Sequence, residues 1–231
     1  MPRTRAPGRL ADVADAALRV FARNGFRDAQ MVDVAREAGI ALGTLYGYVA
    51  SKEALFALVV DRTFAEIDAD ADLPLPTPDR DELLARVAKR MDVAAGLPVL
   101  SSAAKRRSTR DARAELVAVL DELWDVTVRT RLAADMLERS ARDWPELSRV
   151  FYEGVRREIL RMLARYVERR AASGAFRRVD DPAIAARLVV ETVTWFARHR
   201  LGDPDSADVD DARARRTVLA MLAASLLSEG S

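Results

Sequence analysis

Apolar residues recur every three or four positions along most of the chain, which is the spacing of one face of an α-helix. The first such stretch runs from about residue 9 to residue 24 and is followed by Gly25, a residue typical of helix ends. Two short helices are predicted next, over about 31–38 and 42–48, with Gly39 in the turn between them. No segment shows the sustained alternation of apolar and polar residues that marks a β-strand. The pattern therefore predicts an all-α fold of about nine or ten helices.

The helix after these begins at Ser51, which is a suitable N-cap residue, and must end before Pro74. Prolines at alternate positions of the segment LPLPTPDRD exclude a helix interior there. The remaining predicted helices cover about 79–95, 112–142, 145–172, 182–201 and 208–228, with one or two short helices between 101 and 111.

Composition excludes several kinds of chemical site but does not by itself identify a function. The 231 residues carry a net charge of +1, so an argument for nucleic-acid binding must rest on local placement of residues. The chain has no cysteine and one histidine, His199, which leaves out disulfides and thiolate metal sites and disfavours histidine-based catalysis. We expect no cofactor and no metal. The chain shows neither a signal peptide nor an apolar run long enough to span a membrane, so we expect a cytoplasmic protein that does not bind membranes.

The segment around Gly39 has the organisation of a helix-turn-helix, in which a short second helix enters the DNA major groove. Gly39 can adopt the positive φ of a sharp turn, and Ile40 and Leu45 are spaced to anchor the second helix from behind. The same geometry also occurs in a plain helical corner within a bundle, and this alternative stays open. The candidate DNA contacts are Ala41, Leu42, Gly43 and Thr44 towards the bases, and Tyr46, Tyr48 and Lys52 towards the phosphates.

The same segment resembles the N-terminal domain of the TetR family of transcriptional regulators over roughly residues 9 to 60. The matching motifs, in order, are Val34-Ala35, Ala38-Gly39-Ile40, Gly43-Thr44-Leu45-Tyr46 and Ser51-Lys52-Glu53. The sequence departs from the family where Gln30 replaces a hydroxyl residue, where Ala41 replaces serine or threonine, and where Val49 replaces phenylalanine. The resemblance adds Gln30 to the candidate phosphate contacts.

The resemblance also implies a domain organisation. Residues 1–50 would form the DNA-binding domain, with its helix-turn-helix at about 30–49, and residues 51–231 would form a helical domain for ligand binding and dimerisation. The helix predicted over 51–71 would connect the two. The expected partners are a palindromic double-stranded DNA operator, a second copy of the chain and a small-molecule effector.

The C-terminal part contains two sets of candidate residues. Apolar side chains in excess of one buried helix face suggest a dimer interface, and aromatic side chains on central helices suggest a ligand pocket. An ordinary intramolecular core is the alternative for both sets. The candidate dimer interface comprises Ile184, Leu188, Trp195, Phe196, Val218, Met221, Leu222 and Leu226. The candidate pocket residues are Met91, Trp124, Val128, Leu132, Phe151, Tyr152, Val155 and Trp195.

The leading hypothesis is a transcriptional repressor that a small apolar or amphipathic ligand releases from DNA. A helical enzyme acting on a small apolar substrate is the main alternative, because serine and carboxylate residues are abundant. A helical adaptor that binds protein through its N-terminal domain is a third possibility. Sequence-selective binding to duplex DNA would distinguish the first hypothesis from the other two.

Overall fold

The computed structural model describes residues 8–64, 71–206 and 208–228. Helices dominate these ranges, which contain no β-strand and only isolated bridges such as that between Val49 and Leu75. The prediction of an all-α fold is therefore confirmed. The first seven α-helices are α1 (Arg9–Asp28), α2 (Met31–Glu37), α3 (Leu42–Tyr46), α4 (Lys52–Phe64), α5 (Arg80–Arg90), α6 (Val93–Gly96) and α7 (Pro98–Lys105). The remaining five are α8 (Ala112–Ala141), α9 (Pro145–Ser148), α10 (Arg157–Ala172), α11 (Pro182–Ala197) and α12 (Asp211–Leu226).

Several helix boundaries differ from the prediction. The helix expected over 79–95 is interrupted after Arg90, so that α5 and α6 are separate. A π-helical stretch, Arg149–Arg156, lies between α9 and α10 within the helix expected over 145–172. The predicted connector helix is described as far as Phe64, and its residues 65–70 lie outside the described residues.

Side-chain caps stabilise the beginnings of α4 and α5. Ser51 Oγ accepts a hydrogen bond from the backbone N–H of Ala54 at 3.1 Å, which confirms its role as a cap. Asp79 and Glu82 form a reciprocal capping box at the start of α5, since each side chain accepts from the other residue's backbone N–H. These caps satisfy N–H groups that have no partner within their helix.

Packing divides the chain into two compact units. The first unit comprises residues 1–92 and 132–155, and its core contains a cluster of aromatic rings. Within this cluster the ring centroids of Phe21 and Phe56 lie 5.4 Å apart, and those of Phe26 and Trp144 lie 5.1 Å apart. Packing thus groups α4 and α5 with the first three helices. The boundary predicted at residue 50 divides a DNA-binding domain from a ligand-binding domain, and this functional division stays a prediction.

The second unit comprises residues 93–131 and 156–231 and contains a buried ion pair. The Arg170 side chain is 0% exposed, and its Nε donates to Glu115 Oε1 at 2.6 Å. Its other nitrogens donate to the carbonyl oxygens of Arg106 and Ala103 at 3.0 and 3.1 Å. The guanidinium therefore ties α10 to the end of α7 and the beginning of α8.

No helix among the described residues is both long enough and apolar enough to cross a membrane.

Candidate nucleic-acid interface

A tight glycine turn sets the direction of α3 relative to α2. Gly39 has a φ of 64°, a conformation that residues with a Cβ rarely adopt. The backbone N–H of Gly39 donates to the carbonyl of Arg36 at 3.1 Å, and that of Ile40 donates to the carbonyl of Ala35 at 3.0 Å. Ile40 packs against the core of the first unit, as predicted for a residue behind the turn. The local sequence Ala-Gly-Ile thus produces the sharp bend of a helix-turn-helix.

Apolar contacts and backbone hydrogen bonds hold α3 in place from its inner side. Leu45 and Val49 are 0% exposed. The backbone N–H of Leu75 donates to the carbonyl of Tyr48 at 2.8 Å, and the N–H of Ala50 donates to the carbonyl of Leu75 at 2.9 Å. The proline-rich segment, which the sequence identifies only as non-helical, therefore also supports the chain just after α3, and no sequence signal indicated this contact.

The outer side of α3 is exposed and uncharged. Ala41, Leu42, Gly43 and Thr44 are all exposed, with Leu42 at 40%, and Tyr46 is exposed at 46%. A Cβ added at Gly43 would meet no atom within 4 Å, so the space outside the helix is open at that point. The structure thus brings five of the predicted DNA contacts together on one accessible surface.

Tyr48 does not belong to this exposed surface. Its side chain is 5% exposed and packs in the hydrophobic core of the first unit. The sequence does not distinguish Tyr46 from Tyr48, since both flank Gly47. In the structure α3 ends at Tyr46, and the ring of Tyr48 is directed into the core. The prediction that Tyr48 is presented to phosphate in the same way as Tyr46 is corrected accordingly.

The ammonium group of Lys52 makes contacts within its own unit, although the sequence suggested that it is available to bind phosphate. Its Nζ donates to the carbonyl oxygens of Arg27 and Ala29, at 3.0 and 3.1 Å. The same nitrogen lies 4.8 Å from the centroid of the Phe26 ring. A cation at the C-terminal end of a helix is stabilised by carbonyl groups that have no partner within the helix. Lys52 therefore caps the end of α1.

Gln30 precedes α2 and is exposed, as a phosphate contact requires. Its Nε2 donates to the carbonyl oxygen of Asp28 at 3.4 Å, and its side chain makes no capping hydrogen bond to α2.

An ion-pair cluster holds α2 against α1. The Glu37 carboxylate accepts from Arg19 Nε and from Arg23 Nη2, both at 2.6 Å. The pKa of the Glu37 carboxyl is held below its ordinary value, mainly by the hydrogen bond from Arg19 and secondly by that from Arg23. The orientation of the helix-turn-helix thus depends on a charged as well as an apolar contact.

The candidate dimer residues fall into two groups. Ile184, Leu188, Trp195 and Met221 are exposed, Ile184 at 65% and Met221 at 68%, and Phe196 is half-buried. Val218, Leu222 and Leu226 instead lie in the core of the second unit. For these three residues the structure supports the alternative of an ordinary intramolecular core, because they lie on the side of α12 that packs within its own unit.

The candidate pocket residues are likewise divided. Phe151 is a core residue of the first unit, and Trp124 is a core residue of the second. Met91 and Val128 pack against these respective cores, and Val155 is half-buried. The exposed members of the set are Leu132, Tyr152 and Trp195.

Comparison with known proteins gives matches in both parts of the chain. The family model for bacterial regulatory proteins of the tetR family matches residues 13–59. The model for the C-terminal domain of AefR-like transcriptional repressors matches residues 130–224. Over 57 residues the chain is 40% identical to the HTH-type transcriptional repressor KstR of Mycolicibacterium smegmatis, a match that covers 25% of this chain and 28% of that protein. The matches to curated relatives span only 22% to 28% of the relatives' lengths.

Two solved structures share the fold over nearly the whole chain. The ketosteroid transcriptional regulator KstR2 of Mycobacterium tuberculosis superimposes with a TM-score of 0.64 at 17% identity, covering 97% of this chain and 98% of that one. The transcriptional regulator FadR of Bacillus subtilis, in complex with stearoyl-CoA, gives a TM-score of 0.51 at 19% identity, covering 93% and 98%. At these identities the likeness concerns the fold. The two family models, the ordered motifs and this fold agree: the chain belongs to the TetR family of bacterial regulatory proteins.

Proposed function

We propose that this chain is a DNA-binding transcriptional regulator, a repressor that acts in the cytoplasm and binds a palindromic operator through α3. The observation that carries the proposal is the exposed, uncharged face of α3, held by the glycine turn at Gly39 and anchored from behind by Leu45. A surface of this kind can approach base edges closely. Membership of the TetR family favours this function over a helical enzyme, and the match to a repressor C-terminal domain favours repression.

Selection from a pool of randomised DNA duplexes tests this proposal with the full chain. We expect enrichment of an inverted repeat whose half-sites lie about one helical turn apart. The selected duplex should bind at least about a thousandfold more tightly than a scrambled one at physiological salt. Recovery of no common sequence, with equal affinity for all duplexes, would rule out a sequence-specific regulator.

We also propose that the chain acts as a homodimer joined through α11 and α12. Ile184, Leu188 and Trp195 are spaced by four and seven residues, which places them on one face of α11. These residues and Met221 on α12 are exposed in the single chain, although side chains of this size are usually buried. A second copy of the chain would remove this apolar surface from water.

Sedimentation velocity provides the test of dimerisation. Ile184→Glu places a charge on the proposed contact face and should convert the dimer into a monomer. Val117→Glu is the matched control, because Val117 is an exposed aliphatic residue on α8 outside the proposed interface. A wild-type protein that sediments as a monomer, or an Ile184→Glu variant that remains dimeric, would contradict the proposal.

For the effector, we propose an apolar or amphipathic small molecule. The FadR relative was solved with stearoyl-CoA, and several candidate pocket residues of this chain are large and apolar. A ligand releases the operator only if it binds the DNA-free conformation more tightly than the DNA-bound one. Titration of stearoyl-CoA into the protein–operator complex should therefore lower DNA affinity, with unesterified CoA as the control. Unchanged DNA affinity at saturating stearoyl-CoA would contradict this choice of ligand class.

A further inference from the structure

The recognition segment lacks the side chains that most often read bases. Residues 38 to 51 contain no charged residue and no asparagine, glutamine or histidine, in a chain of which 32% is charged. Guanine is usually recognised by arginine or lysine and adenine by asparagine or glutamine, because these side chains can make paired hydrogen bonds to the base edge. None of these pairings is open to α3.

Helical geometry identifies the residues that α3 presents outward. Successive residues are turned by about 100°. Because Leu45 is fully buried, Gly43 falls near the middle of the outward face, with Leu42 and Tyr46 on one side and Thr44 on the other. The open space above Gly43 allows close approach of a partner surface. Leu42 then offers an exposed aliphatic side chain beside the point of closest approach.

The major groove offers one apolar group of matching chemistry. Thymine carries a C5-methyl group there, whereas the other three bases present hydrogen-bond donors and acceptors without it. Burying the exposed part of Leu42 against polar base edges would remove water from them without replacing its hydrogen bonds, which is unfavourable. Contact with a methyl group avoids this loss.

We propose that Leu42 reads the C5-methyl group of a thymine in each operator half-site. Specificity at that base pair then comes from apolar contact, with the Thr44 hydroxyl and methyl groups available for a neighbouring base. This inference rests on the proposed function, because it assigns the chemistry of the DNA surface that α3 recognises.

Replacement of thymine by uracil tests the inference without changing the protein. Uracil keeps the base pair and removes only the methyl group. Starting from the duplex selected by the full chain, each thymine is replaced singly and dissociation constants are measured. At one position per half-site we expect affinity to fall roughly fourfold, the effect of about one buried methylene group. The Leu42→Ala variant should bind more weakly and should lose its sensitivity to uracil at that position.

Leu201→Ala is the matched control, since Leu201 is an exposed leucine outside the proposed interface, and it should keep the wild-type response to uracil. Selective binding that is insensitive to uracil at every position would overturn the role of Leu42 and leave the proposed function intact. Uracil sensitivity that persists unchanged in Leu42→Ala would also overturn it. Failure to select any preferred duplex would overturn the proposed function together with this inference.

Discussion

Replacing Lys52 with methionine distinguishes a structural role from a DNA contact. Methionine keeps most of the aliphatic length of lysine but removes the ammonium group that caps α1. In the structure that group donates two hydrogen bonds, to the carbonyl oxygens of Arg27 and Ala29, and lies over the Phe26 ring. The substitution therefore removes three defined interactions within the first unit.

The expected loss of stability follows from these contacts. A hydrogen bond to a charged group contributes about 1.5 kcal/mol or more, and a cation–π contact at a partly exposed site about 0.5 kcal/mol. Ordering a lysine side chain costs up to about 2 kcal/mol, which offsets part of this gain. We therefore expect Lys52→Met to lower the free energy of unfolding by about 2 kcal/mol, measured by urea denaturation. Lys89→Met, at an exposed lysine on α5, is the control and should change stability little.

DNA binding by the same variant gives the second measurement. A lysine that contacts phosphate contributes about one released counterion per protomer, so its removal would reduce the dependence of binding on salt. For a helix cap we expect an unchanged salt dependence under conditions in which the variant is folded. Unchanged stability together with a reduced salt dependence would refute the structural assignment and restore Lys52 as a phosphate contact.

Two ion pairs described above lead to separate predictions. Arg170→Met should lower the free energy of unfolding by about 3 kcal/mol, because the buried Glu115 carboxylate would lose the buried guanidinium that pairs with it; an unchanged urea midpoint would contradict this. Arg19 and Arg23 lower the pKa of Glu37, so their pairing stabilises the fold fully above the ordinary glutamate pKa and less as pH falls through the lowered value. Glu37→Gln should therefore be less stable than wild type at neutral pH and approach it in acid, and a stability difference independent of pH would be inconsistent with this pairing.

The helix-turn-helix was largely predictable from the sequence because its requirements are local. A glycine at the turn, an aliphatic residue behind it and small residues ahead of it identify α2 and α3 within a few positions. The sequence did not distinguish Tyr46 from Tyr48, since that difference depends on where α3 ends. Nor did it predict the role of Lys52, whose acceptors lie more than twenty residues earlier in the chain.

The C-terminal part was less predictable because apolar helices can pack in more than one way. The apolar pattern of α12 does not show which residues face its own unit, so the sequence alone does not separate the buried Val218 and Leu222 from the exposed Met221. The buried pair of Arg170 and Glu115 is separated by 55 residues and has no local signal. Such contacts follow from tertiary packing, which periodicity alone does not specify.

The most direct test of the central claim is the effect of filling the open space at Gly43. Because a Cβ there meets no atom within 4 Å, Gly43→Leu should fold normally and gain up to about 1 kcal/mol of stability from better helix propensity. The leucine would nevertheless prevent close approach of α3 to the bases. Gly96→Leu, at another glycine with open space, is the matched control.

The measurement is the affinity of each folded variant for the selected operator and for a scrambled duplex, by fluorescence anisotropy. We expect Gly43→Leu to bind the operator no better than the scrambled duplex, while Gly96→Leu keeps wild-type selectivity. Full operator selectivity in the folded Gly43→Leu variant would contradict the claim that this face of α3 reads DNA.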